Sequence, residues 1–197
     1  RTVGKQAHGS RPDLGKNAAL AASELALQVH ALEQVFDRQD PLFEPPCSTF
    51  QPTMHEANVS TVNIIPGEDV FYAACRINPC YTLDEVRKAV QEKVRTVEAK
   101  YGVRIEVSEV QAESSLPTAQ DAPVVRELSE ALKAVHGIEA RCVGVGGGTV
   151  GAYLRNKGYS CVVWSTLDEM AHQPNEYAVV SNIVKDALTM AYLAARP

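Results

Sequence analysis

The spacing of apolar positions divides this chain into two stretches of different character. Residues 1–6 open in a strand-like pattern, and a turn-rich loop, AHGSRPDLGKN, follows. From Ala18 to Phe36 the residues Leu25, Val29, Leu32 and Phe36 recur at helical spacing, which predicts a helix whose apolar stripe covers a sheet. Prolines between Pro41 and Pro46 separate it from two predicted strands, Ser48 to Asn58 and Asp69 to Ile77, joined through the turn signal Pro66, Gly67. A second helix starts at Thr82, where Thr82 and Glu85 spell a capping box. It carries Val86, Val90, Val94 and Val97 on one face and stops at Gly102. Alternation of Val103, Ile105 and Val107 with polar residues predicts a strand to Gln111. The order is that of a split βαβ unit, an antiparallel sheet with two helices on one face.

Beyond a polar seam, Ala112 to Gln120, helix and strand patterns alternate. Asp121 is placed to cap a helix bearing Val124, Leu128, Ala131, Leu132 and Val135 and ending at Gly137. A strand from Ile138 to Val145, a glycine loop, a short helix from Thr149 to Lys157, a strand from Ser160 to Trp164 and a last helix from Ser181 to Ala195 follow. Helices alternating with strands belong to a parallel α/β sheet, which two strands cannot close. The second stretch therefore reads as an incomplete sheet. The chain also opens at Arg1 without a methionine and is strand-like from Thr2, so it is expected to be a piece of something longer.

Composition narrows the function classes. At 197 residues and 45% apolar, the chain can bury one ordinary core or two small ones, which excludes a disordered protein. Its net charge of -5 comes from interspersed acids and bases, with no basic stripe to suit nucleic acid. Five cysteines at irregular spacings read as reduced thiols, which points to a cytoplasmic protein. The most apolar stretch, Ala18 to Leu27, is interrupted by Ser23 and Glu24, so no membrane span or signal peptide is expected.

Candidate chemistry concentrates in DEMAHQPNEY, Asp168 to Tyr177. Here a histidine sits among carboxylates beyond an apolar run, and Pro174 keeps His172 on irregular backbone. An isolated loop histidine is otherwise a solvated or capping residue. Gly146, Gly148 and Gly151 spell GxGxxG with Asp168 further on, which leaves a dinucleotide site and a structural tight turn open as readings. Against the dinucleotide site, that motif normally opens its domain. His8 lies in a glycine- and proline-rich loop beside Ser10 and Arg11, where a surface histidine is the default. His30, His55 and His136 read as structural, and Arg76 interrupts the apolar strand FYAACRI, where a buried arginine needs a carboxylate from the protein or a substrate.

Four motifs stand together in one order: GKQAHGSRPDLGKNA, STVNIIPGED with FYAACRI, GVGGGTVGAYLRNKG, and DEMAHQPNEY. In these the chain resembles, over essentially its whole length, the co-catalytic zinc aminoacylases and exopeptidases that include succinyl-diaminopimelate desuccinylase, acetylornithine deacetylase and carboxypeptidase G. The resemblance implies a ferredoxin-like βαββαβ lid that also dimerises, residues 1–113, followed by the C-terminal part of an α/β catalytic domain, residues 114–197. It implies that His172 is a metal ligand, flanked by Glu169 and Glu176 as loop-ordering or substrate-side acids. It casts His8 as the lid histidine that reaches a neighbouring active site to polarise the scissile carbonyl. Asn63 and Arg76 fall at positions that hold the substrate carboxylate, and Gly147, Gly148 and Thr149 at the turn lining the substrate pocket. Val150 departs from the pattern, since many relatives carry a polar or acidic residue there.

The family's two metal ions need several carboxylates and histidines and a glutamate general base. An HxD motif and an adjacent glutamate pair, which supply them, do not occur in this chain. The expected complete protein is a homodimeric hydrolase of N-acyl amino acids with two zinc ions, or cobalt or manganese in their place. This chain alone is expected to be inactive and to hold no metal tightly. The alternative is a noncatalytic dimerisation or binding module. Neither nucleic acid nor membrane is expected as a partner, and succinyl-diaminopimelate is the favoured substrate because the DEMAHQPNEY loop looks closest to those relatives.

Overall fold

A computed structural model describes residues 1–168 and 170–196. The chain forms two compact units, Arg1–Ala112 with Gly144–Gly147, and Glu113–Val143 with the remainder.

In the first unit, helix α1 (Ala18–His30) begins where the Asn17 side chain accepts the Leu20 amide at 3.0 Å, and it tightens into a 3-10 turn over Ala31–Gln34. Helix α2 (Leu83–Tyr101) carries the predicted capping box. The Glu85 amide donates to Thr82 Oγ1 at 3.2 Å, and Glu85 Oε2 accepts the Thr82 amide at 2.7 Å. Gly102, with φ of 62°, ends the helix in the left-handed conformation that a side chain disfavours.

Short strands form the other layer. β1 (Thr2–Val3) lies between β5 (Glu68–Asp69) and β7 (Arg104–Ile105), antiparallel to both, with Thr2 opposite Asp69 and Ile105. β2 (Ala7–His8) pairs antiparallel with β4 (Ile64–Ile65). β3 (Thr49–His55) pairs antiparallel with β6 (Phe71–Arg76), with Phe50 opposite Cys75. That register is irregular between Pro52 and Met54, where the proline has no amide to donate. Among the described residues the pairing thus makes three small antiparallel sheets and not the single sheet expected. The strand expected over 103–111 keeps its ladder only through Ile105. The Glu106 amide still reaches the Arg1 carbonyl at 2.8 Å, but Val107 and Val110 are exposed.

The predicted helical stripes meet in one core. Ala21, Leu25, Val29, Leu32 and Phe36 close on Val86, Val94 and Val97 of α2 and on Phe50 of β3. Phe50 has no solvent exposure, and its ring lies 5.5 Å from that of Phe36, which meets Tyr81 edge-on at 4.9 Å. Glu24 ties the two helices at their rim by accepting Lys100 Nζ at 2.6 Å and the Tyr101 hydroxyl. These hydrogen bonds, Lys100 first, hold its carboxyl below the ordinary glutamate range.

The second unit is helical where an α/β arrangement is expected. It comprises α3 (Pro123–His136), α4 (Val150–Asn156) and α5 (Val180–Ala194). Residues 138–145 and 160–164, expected as strands, form none. A strand exists through its partner's hydrogen bonds. At Cys161 the Thr118 hydroxyl occupies both groups, donating to the carbonyl at 2.6 Å and accepting the amide at 3.1 Å. Asp121 does not cap α3, because Ala122 is the capping residue and Pro123 supplies the first turn. α3 packs on α5, where His136 Nε2 lies 2.7 Å from the buried Thr189 hydroxyl. α5 leaves Val180, Ile183, Val184 and Leu188 exposed at helical spacing. Among the described residues no helix is long and apolar enough to cross a membrane.

Phe50 gives the direct test of this packing. Phe50→Ala should cost about 3–5 kcal/mol in chemical denaturation, whereas Leu27→Ala, at an exposed position of α1, should stay within about 0.5 kcal/mol.

Candidate functional site

The loop bearing His8 is clamped at both ends. Lys5 and Lys16 exchange backbone hydrogen bonds of 2.9 and 2.8 Å, closing residues 6–15 into a loop. Gly4 permits the closure, because a Cβ there would sit 2.2 Å from the Lys16 carbonyl oxygen. Within the loop, β2 lies on β4 with His8 opposite Ile64, and the Gly9 amide donates to the Asn63 carbonyl at 2.7 Å. The ladder therefore brings His8 and Asn63, two residues singled out from separate motifs, to one end of a two-stranded ribbon.

Both side chains are exposed and both are oriented by a hydroxyl neighbour. His8 Nδ1 lies 2.8 Å from Ser10 Oγ and accepts the Ser10 amide at 3.2 Å. Because Nδ1 accepts, the neutral ring carries its proton on Nε2. Asn63 Oδ1 accepts the Thr61 hydroxyl at 2.6 Å, which leaves its amide hydrogens as donors. The end of the ribbon thus offers N–H groups that suit a carbonyl or carboxylate oxygen.

Arg76 ends β6 as an exposed residue. This corrects the expectation of a buried arginine: the position closes the strand beyond Cys75, and the guanidinium makes no ion pair among the described residues. It therefore stays available to a carboxylate. Cys75 beside it is half-buried, and burial pushes its thiol up, as for a small hydrophobe. All five cysteines are free.

His172 lies in the second unit on a run of turns, with a φ of 63°, and Asn175 has a φ of 61°. Both occupy the left-handed region, uncommon for residues with a Cβ. The loop is braced by Glu176, whose Oε2 accepts the His172 amide at 3.1 Å, and the imidazole itself is exposed. Glu169 lies outside the described residues. Among the described residues no three histidine, cysteine, aspartate or glutamate side chains converge to hold a metal ion. One exposed imidazole does not suit a resident zinc ion, which takes three or four protein ligands.

Gly147 and Gly148 are exposed, and a Cβ at Gly146 or Gly147 would meet nothing within 4 Å, so packing does not demand glycine there. Thr149 is the capping residue of α4 but makes no side-chain cap. The dinucleotide reading needs a strand before these glycines, and residues 138–145 form none.

The other histidines are tied to structure. His55 Nε2 lies 2.6 Å from Asp69 Oδ1, and Asn58 donates to Asp69 Oδ2 at 2.6 Å, which satisfies a carboxylate only 3% exposed. His30 Nδ1 lies 2.9 Å from the Phe50 carbonyl oxygen. Sequence reasoning did not single out Ser10 or Thr61 as orienting residues. Their local signal is a hydroxyl two residues from the group it turns.

The short-stranded α+β unit is matched by a known class. The chain belongs to the peptidase dimerisation domain family, whose model matches residues 1–102. Among curated relatives, an uncharacterized metallohydrolase of Methanocaldococcus jannaschii is 37% identical over 194 residues, covering 93% of this chain and 47% of the relative. Succinyl-diaminopimelate desuccinylase of Acinetobacter baylyi is 26% identical over 182 residues, covering 91% and 45%. A crystal structure of a tripeptidase from Staphylococcus aureus shares the fold with a TM-score of 0.74 at 22% identity, over 98% of this chain and 48% of that one. The chain spans about half the length of the curated relatives it matches.

Because no three histidine, cysteine, aspartate or glutamate side chains converge among the described residues, zinc should not survive dialysis. Elemental analysis of the purified chain after exchange against metal-free buffer should find far less than one zinc per chain, and stoichiometric retention would show a site made by these residues.

Proposed function

We propose that this chain is the dimerising lid and the C-terminal catalytic portion of a metal-dependent amidohydrolase that cleaves N-acyl amino acids. The observation that carries the proposal is the match of residues 1–102 to the peptidase dimerisation family, with the exposed donors of His8 and Asn63 on adjoining positions of one ribbon. Residues 1–113 form the lid and 114–197 the catalytic part. The pairings β7–β1–β5 and β6–β3, with Val70 alone between β5 and β6, support a ferredoxin-like sheet interrupted at that residue. The apolar runs 138–145 and 160–164, which form no strand, and the exposed stripe of α5 favour a sheet completed by further chain.

The proposed chemistry follows from donor placement. His8, through Nε2–H, would stabilise the negative charge that gathers on the scissile carbonyl oxygen, since a donor aimed at developing charge lowers the barrier. Asn63 and the guanidinium of Arg76, which makes no ion pair among the described residues, would hold the substrate carboxylate, and Gly147, Gly148 and Thr149 would line its pocket. Glu169 belongs to the same proposal as a substrate-side acid. His172 would serve as one metal ligand, completed by groups outside this chain, with zinc the favoured ion and cobalt or manganese alternatives. Succinyl-diaminopimelate is the favoured substrate, because desuccinylases of that name match this chain at 26% identity across 91–98% of its length. For the chain by itself, the matched family supports a second reading, a dimerisation module without activity.

Two experiments test the proposal in the complete protein. His172→Ala should lose both metal, measured by elemental analysis, and nearly all hydrolysis of N-succinyl-diaminopimelate; retained turnover would remove His172 from the metal site. The second asks whether His8 serves the partner subunit of a twofold dimer. His8→Ala and His172→Ala proteins, unfolded, mixed and reassembled, should recover about a quarter of wild-type activity, because random pairing gives about half mixed dimers with one intact site each. No recovery in the presence of demonstrated heterodimers would place the action of His8 within its own subunit.

A further inference from the structure

The loop that carries His8 contains a device that the proposed function does not use. A histidine that must donate through one nitrogen needs the proton on that nitrogen, and the neutral ring otherwise divides between two tautomers. A carboxylate or carbonyl acceptor on the far nitrogen would fix Nδ1–H and turn Nε2 into an acceptor. The His8 loop does the opposite. Ser10 presents two donors to Nδ1, its amide at 3.2 Å and its hydroxyl at 2.8 Å. Of these only the amide is obliged to donate; the hydroxyl rotates to suit. Because the amide hydrogen already points at Nδ1, that nitrogen acts as the acceptor, and the hydroxyl adds a second hydrogen to the same lone-pair region.

The backbone makes this local pairing reproducible. The Arg11 amide returns to the His8 carbonyl at 2.8 Å, so residues 8–11 close a turn that keeps Ser10 under the imidazole. On the other side the Gly9 amide is fixed on the Asn63 carbonyl at 2.7 Å. A Cβ at Gly9 would lie 3.1 Å from that same carbonyl oxygen, tighter than ordinary contact, so the ribbon approaches Ser10 from a fixed direction. Ring and serine are both exposed, and each hydrogen bond therefore competes with water and is worth a modest amount.

We propose that Ser10 is a positioning residue, whose hydroxyl and amide together hold His8 Nδ1 as an acceptor and keep the proton on Nε2, facing away from the loop. The proposal rests on the reading of His8 as a hydrogen-bond donor to substrate, but the tautomer can be read without any reaction. In the chain itself, nitrogen-15 NMR at about pH 9, where histidine rings are neutral, should show His8 with Nε2 protonated and Nδ1 bare. Ser10→Ala keeps the amide donor and loses the hydroxyl, so both nitrogen shifts should move part of the way toward the two-tautomer average, and Ser10→Thr should restore them. A wild-type ring protonated at Nδ1, or shifts unchanged in Ser10→Ala, would overturn the proposal.

Kinetics in the complete protein with N-succinyl-diaminopimelate supply the second readout. Ser10→Ala should lower kcat about three- to tenfold, the weight of one hydrogen bond, with KM nearly unchanged, and Ser10→Thr should recover most of it. A rise in KM with kcat intact would also overturn it, since that would make Ser10 a binding group. If His8→Ala leaves turnover intact while the NMR signature holds, the role of His8 in hydrolysis fails and the Ser10 clamp stands. The reverse pattern separates the two claims in the other direction.

Discussion

Burial of one face of α1 and of the 3-10 turn that continues it to Phe36 is the constraint on which the first unit depends. Ala21, Leu25, Val29, Leu32 and Phe36 cannot be solvated cheaply, and they are covered from one side by α2 and from another by β3. Once that stripe is placed, both ends of the helix become fixed points for the chain. At its start, Asn17 caps the first turn one residue after Lys16 closes the His8 loop. At its end, Glu33 accepts the Phe50 amide at 2.8 Å and His30 meets the Phe50 carbonyl, so the last turn grips the strand whose ring fills the core. The loop that presents His8 thus inherits its position from apolar contacts that it does not itself make.

The helices were legible because their signals are local. A period of 3.6 identifies the buried face, and capping chemistry at Thr82 and Gly102 marks the ends of α2 in the sequence alone. Strands were legible only as extended, apolar runs, since what makes a strand is a partner that may lie far along the chain. Thr49–His55 and Phe71–Arg76 found each other, while residues 160–164, with the same apolar character, had their backbone groups at Cys161 taken by Thr118. The error at Asp121 was of another kind. An acid before a helix resembles a cap, but a proline two residues later moves the start of the helix and makes Ala122 the capping position.

The candidate site divides along the same line. His8 and Asn63 could be named from motifs, and their adjacency needed only the β2–β4 ladder. What no spacing rule gave was the direction in which each side chain donates, because that depends on hydroxyls whose own partners are set by turn geometry. His55 shows the converse. Its partner, Asp69, lies in β5 of another sheet and almost without solvent, which turns an exposed strand-end imidazole into a support for a buried acid.

Clamping at Lys5 and Lys16 has a consequence for how this loop can vary in length. The chain between the clamp and the β2–β4 ladder has no slack, because only Gln6 separates Lys5 from Ala7. Adding or removing one residue ahead of His8 would shift the ribbon by one position and turn the imidazole to the opposite face, exchanging it with Ala7. Length changes compatible with the donor position are confined to Pro12–Gly15, after the turn that ends at Arg11, where a 3-10 turn over Pro12–Leu14 lies exposed. The loop is therefore tolerant on one side of its histidine and rigid on the other.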